Sequence, residues 1–138
     1  MSSTASDVTL VRDAIHNPAE PRHFMRVTPC ERLVVATLAG RELARTRRAT
    51  RVKEVGYDIY DPVLYFPRED VDMTSLQQNA RTTHCPLKGD TAYFDASIDG
   101  ELLENVAWSY VEVIEAAAPL RDLVAFDTRL VRVTESAP

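Results

Sequence analysis

From Glu31 onward the chain alternates apolar and polar positions with a period of two, which is the pattern of β-strands. Two such runs, 31–38 and 41–54, flank Ala39-Gly40, and glycine permits the positive φ that a two-residue hairpin turn needs. Taking these two residues as the loop sets the cross-strand partners. The register then predicts one inward face, which consists of Leu33, Val35, Ala44, Thr46 and Arg48.

A second hairpin is predicted around Asp99-Gly100, because this dipeptide favours the type I′ turn between the flanking runs 91–98 and 101–110. Its register places on one face Ala92, Phe94, Ala96, Ile98, Leu103, Asn105 and Ala107. The opposite face collects Tyr93, Leu102, Val106, Trp108 and Tyr110. Since both faces are partly apolar, we expect this ribbon to be sandwiched or curled into a barrel wall. Buried positions should include Phe94, Ala96, Leu33 and Val35.

The remaining segments complete a small, mainly β domain built from antiparallel strands with a minor helical turn. The run 63–66 predicts a short strand closed by Pro67, 70–76 fits one or two helical turns, and 123–133 predicts a final strand pair or a bent strand. Residues 1–22 are polar and contain two prolines, so we expect a loosely attached N-terminal extension and one β domain over 23–138.

Composition and charge narrow the partners. The chain has 138 residues, enough for one core, and a formal charge of −5, which argues against non-specific binding to nucleic acid. No apolar run approaches the roughly 20 residues of a membrane span, and the N-terminus is polar, so we expect a cytoplasmic protein with no membrane partner. Its two cysteines, Cys30 and Cys85, are too few for a disulfide framework and are expected to be free thiols.

Arg48 is the basic residue that the predicted register makes unusual. Six of the 16 basic residues lie between Arg41 and Lys53, a pattern typical of a solvated edge strand. Arg48, however, shares its parity with apolar neighbours, and a guanidinium directed inward requires a carboxylate or a ligand anion. Glu54 has the same parity if the strand runs straight through Ala49, so the sequence predicts an inward Arg48–Glu54 pair, structural or functional.

The loop 82–89 brings His84, Cys85 and Lys88 within five residues. Adjacent residues of an extended chain point to opposite sides, which disfavours His84 and Cys85 as a base and nucleophile, and two ligands do not complete a zinc site. We prefer Lys88, followed by Gly89, as a cation for an anionic group, against the alternative of an exposed turn lysine. The aromatic residues Tyr93, Trp108 and Tyr110 share a face that is either core or pocket wall, and Tyr65 is interpreted in the same way.

The ordered motifs Thr46-Arg47-Arg48-Ala49, Val63 to Met73 (VLYFPREDVDM), Thr83-His84-Cys85-Pro86, Lys88-Gly89-Asp90, Ala92-Tyr93-Phe94, Glu104-Asn105 and Ala107-Trp108-Ser109-Tyr110 resemble the small bacterial domain of unknown function DUF427. The resemblance covers about residues 27–133. It implies a mostly antiparallel, β-tent-like fold that holds small molecules in an aromatic pocket, and the family's other label implies nucleotidyl transfer.

The resemblance also implies a set of recurrent residues, which are Arg47, Arg48, Glu54, Tyr65, Pro67, Asp70, His84, Cys85, Pro86, Lys88, Gly89, Trp108 and Tyr110. The chain departs from the family pattern at Ala39-Gly40, where Asn-Gly is common, at the loop 57–61, and at Val111, where proline commonly follows the tyrosine. These departures affect loop shape and leave the polar constellation intact.

Three functions remain open at this point. Nucleotidyl transfer would need a Mg²⁺ held by paired carboxylates, and Asp70 and Asp72 have the spacing but lack a preceding Gly-Ser signature. A binding module needs only a pocket for an anionic or amide-bearing small molecule. Its expected ligand-binding residues are Arg47, Arg48, Glu54, Tyr65, His84, Cys85, Lys88, Tyr93, Trp108 and Tyr110, with no metal. The third function is self-association of copies through an exposed sheet edge. The sequence identifies neither the ligand nor any cofactor.

Overall fold

The computed structural model describes residues 10–137, which form twelve β-strands and three short 3-10 helices. The strands are β1 (Ile15–Asn17), β2 (Glu20–Cys30), β3 (Val34–Leu38), β4 (Arg41–Thr46), β5 (Ala49–Val55), β6 (Val63–Tyr65), β7 (Gln77–Gln78), β8 (His84–Cys85), β9 (Gly89–Ile98), β10 (Glu101–Val113), β11 (Val124–Phe126) and β12 (Arg132–Glu135). The helices are Arg68–Asp70, Met73–Ser75 and Glu115–Leu120. The predicted mainly β class is confirmed.

Within residues 10–137 the strands belong to three sheets, and neighbouring strands run antiparallel in each. The first sheet has the order β1-β2-β5-β6, and the third has the order β12-β3-β4. The second sheet has the order β11-β10-β9-β7, with β8 also paired to β9. The sequence run 123–133 therefore divides into two strands that lie in different sheets. Separately, no helix of the described residues has the length and apolarity to cross a membrane.

The first hairpin turns at Ala39-Gly40 as predicted, with φ values of 50° and 80°. Its register then shifts, because Leu43 is an extra residue that has no partner on β3. Leu43 and Ala44 are both buried, and the carbonyl of Leu43 accepts a hydrogen bond from the Asp72 N–H at 2.7 Å. The bulge is therefore held by the segment that follows β6.

This bulge changes which residues of the first hairpin face the core. Beyond it Ala36 pairs with Ala44, so the buried residues of β3 are Val34, Ala36 and Leu38. The prediction that Leu33 and Val35 are buried is wrong, since both are only half-buried. The extra residue on β4 shifts the pairing by one position, so Ala44 and Thr46 share their face with Ala36 and Val34 and not with Val35 and Leu33.

The second hairpin turns at Asp99-Gly100, with φ values of 51° and 80°. Its register also shifts, at the segment 104–106, but by two residues, so that Trp108 pairs with Tyr93 and not with Thr91, as the predicted register had it, and remains on the face of Tyr93. Asp95 stabilises this bulge, because its Oδ1 accepts hydrogen bonds from the Asn105 N–H at 2.9 Å and from Asn79 Nδ2 at 2.7 Å. Phe94 and Ala96 are buried as predicted.

The core consists of two clusters that meet at the end of β6, where Tyr65 is followed by Phe66. Phe66 packs with the larger cluster, which contains Val34, Leu43, Phe94 and Ala107, and its ring meets Phe126 edge-on at 5.3 Å. Tyr65 packs with the smaller cluster, which contains Met25, Val52, Leu87, Tyr110 and Leu120. Successive side chains of an extended segment point to opposite sides, and Tyr65-Phe66 thereby joins both clusters.

The N-terminal part departs from the expected loose extension. Residues 1–9 lie outside the described part of the chain, and for them the loosely attached extension stays a prediction. Ile15 pairs with Met25 and His16 with Phe24, so β1 and β2 belong to the first sheet and the expected boundary falls inside β2. The period-two pattern was obscured there by prolines and by a polar strand face.

Candidate functional site

A cavity of about 810 Å³ lies between the first and second sheets, within the size range of small-molecule sites. Seven of the ten expected site residues line it, and these are Glu54, Tyr65, Cys85, Lys88, Tyr93, Trp108 and Tyr110. The other three, Arg47, Arg48 and His84, lie outside it. The fold therefore gathers residues from β5, β6, β9, β10 and the 84–88 segment around one space.

Arg48 is directed outward, and the prediction of an inward Arg48–Glu54 pair is wrong. β4 ends at Thr46 and β5 begins at Ala49 in a different sheet, so strand parity does not extend through this segment. The Arg48 side chain is 64% exposed and pairs with Glu69 at 3.1 Å and Asp70 at 3.3 Å. Arg47 beside it is also exposed.

His84 is exposed as well, and its Nδ1 lies 2.7 Å from Asp90 Oδ1 on the outer surface. Cys85 next to it lines the cavity instead. Their opposite directions agree with the expectation that adjacent residues of an extended chain diverge. Both cysteines are free thiols, as expected.

Lys88 is placed in the cavity by a tightly packed loop. Its N–H donates to the carbonyl of Cys85 at 3.2 Å, and its carbonyl accepts from the Ile114 N–H at 3.0 Å. Gly89 follows with a φ of +132°, and a Cβ at this position would lie 2.0 Å from the Glu112 carbonyl oxygen. Only glycine permits the backbone at position 89 to lie this close to the end of β10, and this contact fixes the position of Lys88 next to it.

The Lys88 ammonium donates a hydrogen bond to Glu54 Oε1, and the two side chains are 7% and 16% exposed. The other carboxylate oxygen, Oε2, lies 2.7 Å from His23 Nε2. His23 Nδ1 in turn faces the Asn17 amide nitrogen at 3.4 Å. These contacts form a continuous chain, Lys88–Glu54–His23–Asn17, which we call the relay chain.

Glu54 is ionised in this chain. Burial alone raises its pKa, but the Lys88 ammonium and the hydrogen bonds from Lys88 and His23 outweigh burial, and the pKa of Glu54 is lowered below 4.5. A carboxylate only accepts hydrogen bonds, so His23 Nε2 carries the proton of that contact. Glu54 also borders a second cavity of about 610 Å³, lined on the far side by His23, Tyr57 and Pro86.

His23, Glu54 and Cys85 have ligand atoms within 4.8 Å of one another, the one such group of three or more found among residues 10–137. These are ligand types that suit zinc. However, a metal at His23 Nε2 would displace the hydrogen bond to Glu54 and would stand beside the Lys88 ammonium. The hydrogen-bonding pattern therefore favours the relay chain, and the expected absence of a metal stays a prediction.

Aromatic rings form the apolar wall of the cavity. Tyr93 and Trp108 are cross-strand partners on β9 and β10, and Trp108 Nε1 donates to the Tyr65 hydroxyl at 3.4 Å. Tyr65 and Tyr110 are tilted with ring centroids 6.5 Å apart, and Lys88 Nζ lies 5.7 Å from the Tyr110 centroid. Burial raises the pKa of Tyr65 and of Tyr110 well above the usual range, so both phenols stay protonated.

Several polar residues of the cavity were not expected to belong to the site. They come from four separate segments and are Tyr60, Arg81, Glu104, Asn105, Asp127 and Arg129. Arg81 stacks over the Tyr93 ring at 4.6 Å, whereas Arg129 pairs with both oxygens of Asp127. Glu104-Asn105 was visible in the sequence as a motif, but nothing local marked Arg81, Asp127 or His23 of the relay chain.

A family model labelled NTP_transf_9 and described as a domain of unknown function (DUF427) matches residues 26–137. No curated protein matches the chain. The matched range contains the cavity-lining residues named above and leaves out His23 and Asn17 of the relay chain.

Proposed function

Because the chain belongs to the DUF427 family, as its motifs predicted, and the family's description assigns no activity, we propose from the site itself that the protein binds a small organic molecule with an anionic or amide group. The observation that supports this is the Lys88–Glu54 pair at the floor of a cavity walled by aromatic rings. Concave, partly apolar sites with a few convergent polar groups are typical of small-molecule binding.

Each wall of the cavity has a distinct task in this proposal. Trp108 and Tyr93 offer flat apolar surface to the ligand, while the Lys88 ammonium and the Arg81 guanidinium donate hydrogen bonds to its oxygen atoms. Glu54 accepts a hydrogen bond from an amide N–H. The lining contains three basic and three acidic residues, so recognition depends on the placement of single groups more than on net charge.

The hydrogen bonds of Asp70 and Asp72 favour binding over nucleotidyl transfer. Asp70 accepts from Thr46 and Arg48, at 2.7 Å and 3.3 Å. Asp72 accepts from Ser75 at 2.6 Å and from Thr74. The two carboxylates are thus engaged with different partners, and neither lines the cavity.

We also propose a cytoplasmic location, because the free thiols of Cys30 and Cys85 are usual for a reducing compartment. Self-association stays an alternative role, and sedimentation at several protein concentrations would detect it. A concentration-independent monomer would remove this alternative.

The function is tested by a thermal-shift screen of nucleotides, small carboxylates and amides, with and without Mg²⁺. For a compound that binds, Trp108→Ala should weaken the affinity by about 1–3 kcal/mol, since it removes a wall of the cavity. Arg48→Ala is the matched control, because this recurrent residue lies outside the cavity, and it should leave the affinity unchanged. Equal losses in both variants would contradict the proposal, and a Mg²⁺-dependent nucleotide response with product formation would establish the enzyme instead.

A further inference from the structure

Lys88 is one of only two lysines in a chain whose other basic residues are arginine. Of 16 basic side chains, Lys53 and Lys88 alone carry an amine, and the remainder are guanidinium groups that stay protonated in proteins. Lys53 is exposed on β5, while Lys88 is buried at the floor of the cavity. Among residues 10–137, Lys88 is thus the one buried basic side chain, and one of the two lysine amines of the chain lies at the ligand site.

The surroundings of Nζ suit an amine that reacts. Glu54 is the hydrogen-bond acceptor that Nζ contacts within residues 10–137, and the Tyr110 ring lies on another side at 5.7 Å. The loop backbone is held by Cys85 and Ile114. The amine is thereby kept in one position against the cavity, with a proton acceptor already in contact.

We propose that Lys88 forms an imine with a carbonyl compound bound in the cavity, and that the ligand class is an α-oxo acid. This inference rests on the proposed function, because it uses the same cavity and the same floor. It extends that function by naming the carbonyl group as the feature that the protein recognises.

The bonding changes balance with the residues present. Glu54 takes one proton from the Lys88 ammonium, the amine lone pair forms a bond to the carbonyl carbon, and the π pair of the carbonyl moves to its oxygen. A proton passes from nitrogen to that oxygen and gives a carbinolamine. Glu54 then returns its proton to the hydroxyl, which leaves as water while the nitrogen lone pair forms the C=N bond. The net reaction converts a protonated lysine and a carbonyl compound into a protonated imine and one water molecule.

The relay chain accounts for the position of Glu54 during these steps. Its Oε1 contacts the reacting amine, while its Oε2 is held by His23 from the side of the second cavity. A carboxylate fixed at one oxygen can exchange a proton at the other without turning away. His23 is a positioning residue in this scheme.

The Arg81 guanidinium leads us to expect a carboxylate group in the ligand. Both Arg81 and Arg129 line the cavity, but Arg129 is already paired with both oxygens of Asp127. Among residues 10–137 no carboxylate pairs with Arg81, whose guanidinium stacks on Tyr93. A carboxylate held by Arg81 would orient an adjacent carbonyl group within the cavity that Lys88 also lines.

The test uses glyoxylate as the probe, with sodium cyanoborohydride to reduce any imine to a stable secondary amine, followed by peptide mapping. Lys53 is the internal control in the same chain. We expect Lys88 to be modified at least about tenfold faster than Lys53 although it is the less exposed amine, because the cavity concentrates the probe beside it. Lys53→Arg should leave this labelling intact, and Lys88→Arg should abolish it.

Two variants separate the parts of the scheme. Arg81→Gln should slow labelling by glyoxylate and leave labelling by acetaldehyde, which has no carboxylate, unchanged. Glu54→Gln should slow labelling by both probes, and circular dichroism establishes that the variant is folded. Lys53 labelled as fast as Lys88 would overturn the inference.

Failure of this inference is distinguishable from failure of the proposed function. If small carboxylates shift the melting temperature but Lys88 is not labelled, the cavity binds ligands without forming an imine. That result would contradict imine formation and leave the proposed binding function standing. If glyoxylate neither shifts the melting temperature nor labels Lys88, and no other compound binds, both fall together.

Discussion

Two ion-pair clusters of this molecule, an outer one on the surface and an inner one beside the cavity, differ sharply in burial. In the outer cluster Arg48 pairs with Glu69 and Asp70, with Arg48 and Glu69 64% and 65% exposed. In the inner cluster Lys88 pairs with Glu54, at 7% and 16% exposure. Sequence reasoning assigned Arg48, Glu54 and Lys88 to one site, and the fold separates them.

Burial of an ion pair, more than the residues that form it, decides how much each partner contributes to stability. The hydrogen bond that Arg48 donates to Glu69 and the charge of the nearby Asp70 raise the pKa of Arg48, but water surrounds these groups and screens their interaction. In the inner cluster burial opposes ionisation of Glu54, so the charge persists only because Lys88 and His23 contact it. Removing one partner should therefore lower the stability of the fold at the inner cluster and leave it nearly unchanged at the outer cluster.

The largest expected effect is on the inner cluster. Lys88→Met should lower the free energy of unfolding by about 2–5 kcal/mol, because Glu54 loses its cation while still buried. Urea denaturation measures the change, and Lys53→Met is the control for losing a lysine from an exposed site. Similar midpoints for Lys88→Met and the wild type would abolish the distinction between the two clusters.

The second effect is a dependence on pH. The pKa of Glu54 is lowered in the folded state, so its stabilisation is fully present above the ordinary value of 4.5 and is lost as the pH falls through the folded value. The difference in unfolding free energy between wild type and Glu54→Gln should therefore shrink as the pH falls below 4.5. Urea titrations at a series of pH values measure it. A difference that grows on acidification would mean that the ion pair does not stabilise the fold.

A smaller effect concerns Cys85 and the ligand atoms around Glu54. Cys85 lines the cavity while Cys30 is 4% exposed, so a thiol reagent should modify Cys85 first and Cys30 only on unfolding. Metal analysis of the same sample should find no zinc, since the relay chain already uses His23 Nε2 and Glu54. One equivalent of zinc that protects Cys85 would replace the inner ion pair by a metal site.

The smallest effect is expected at the outer cluster. Arg48→Ala should leave the urea midpoint unchanged within experimental error, because exposed ion pairs contribute little to stability. A second measurement at high salt should agree with the first. A marked loss of stability would show that the outer cluster is structural after all.

The two hairpins show how far sequence reasoning extends. Both turns were predicted, because Ala39-Gly40 and Asp99-Gly100 determine their own backbone locally. Both hairpins then contain bulges that the sequence did not reveal. The single extra residue, Leu43, reversed the parity of the first hairpin, whereas the shift of two residues near Asn105 preserved that of the second. The shared face of Trp108 and Tyr93 was therefore predicted correctly although their pairing was not, and the burial of Leu33 and Val35 was predicted wrongly.

The antiparallel β class, the two turns, the family and seven of the cavity-lining residues follow from the sequence, because period-two patterns, turn dipeptides and ordered motifs act over short distances. Three features of the site depend on contacts between distant segments. Lys88 contacts Glu54, 34 positions away, His23 and Arg81 lie at the same site, and Arg48 faces water. These outcomes depend on bulges and on the change of sheet between β4 and β5. Bulges and sheet crossings are stabilised by contacts between distant segments, such as Leu43 with Asp72 and Asn105 with Asp95, which no local pattern encodes.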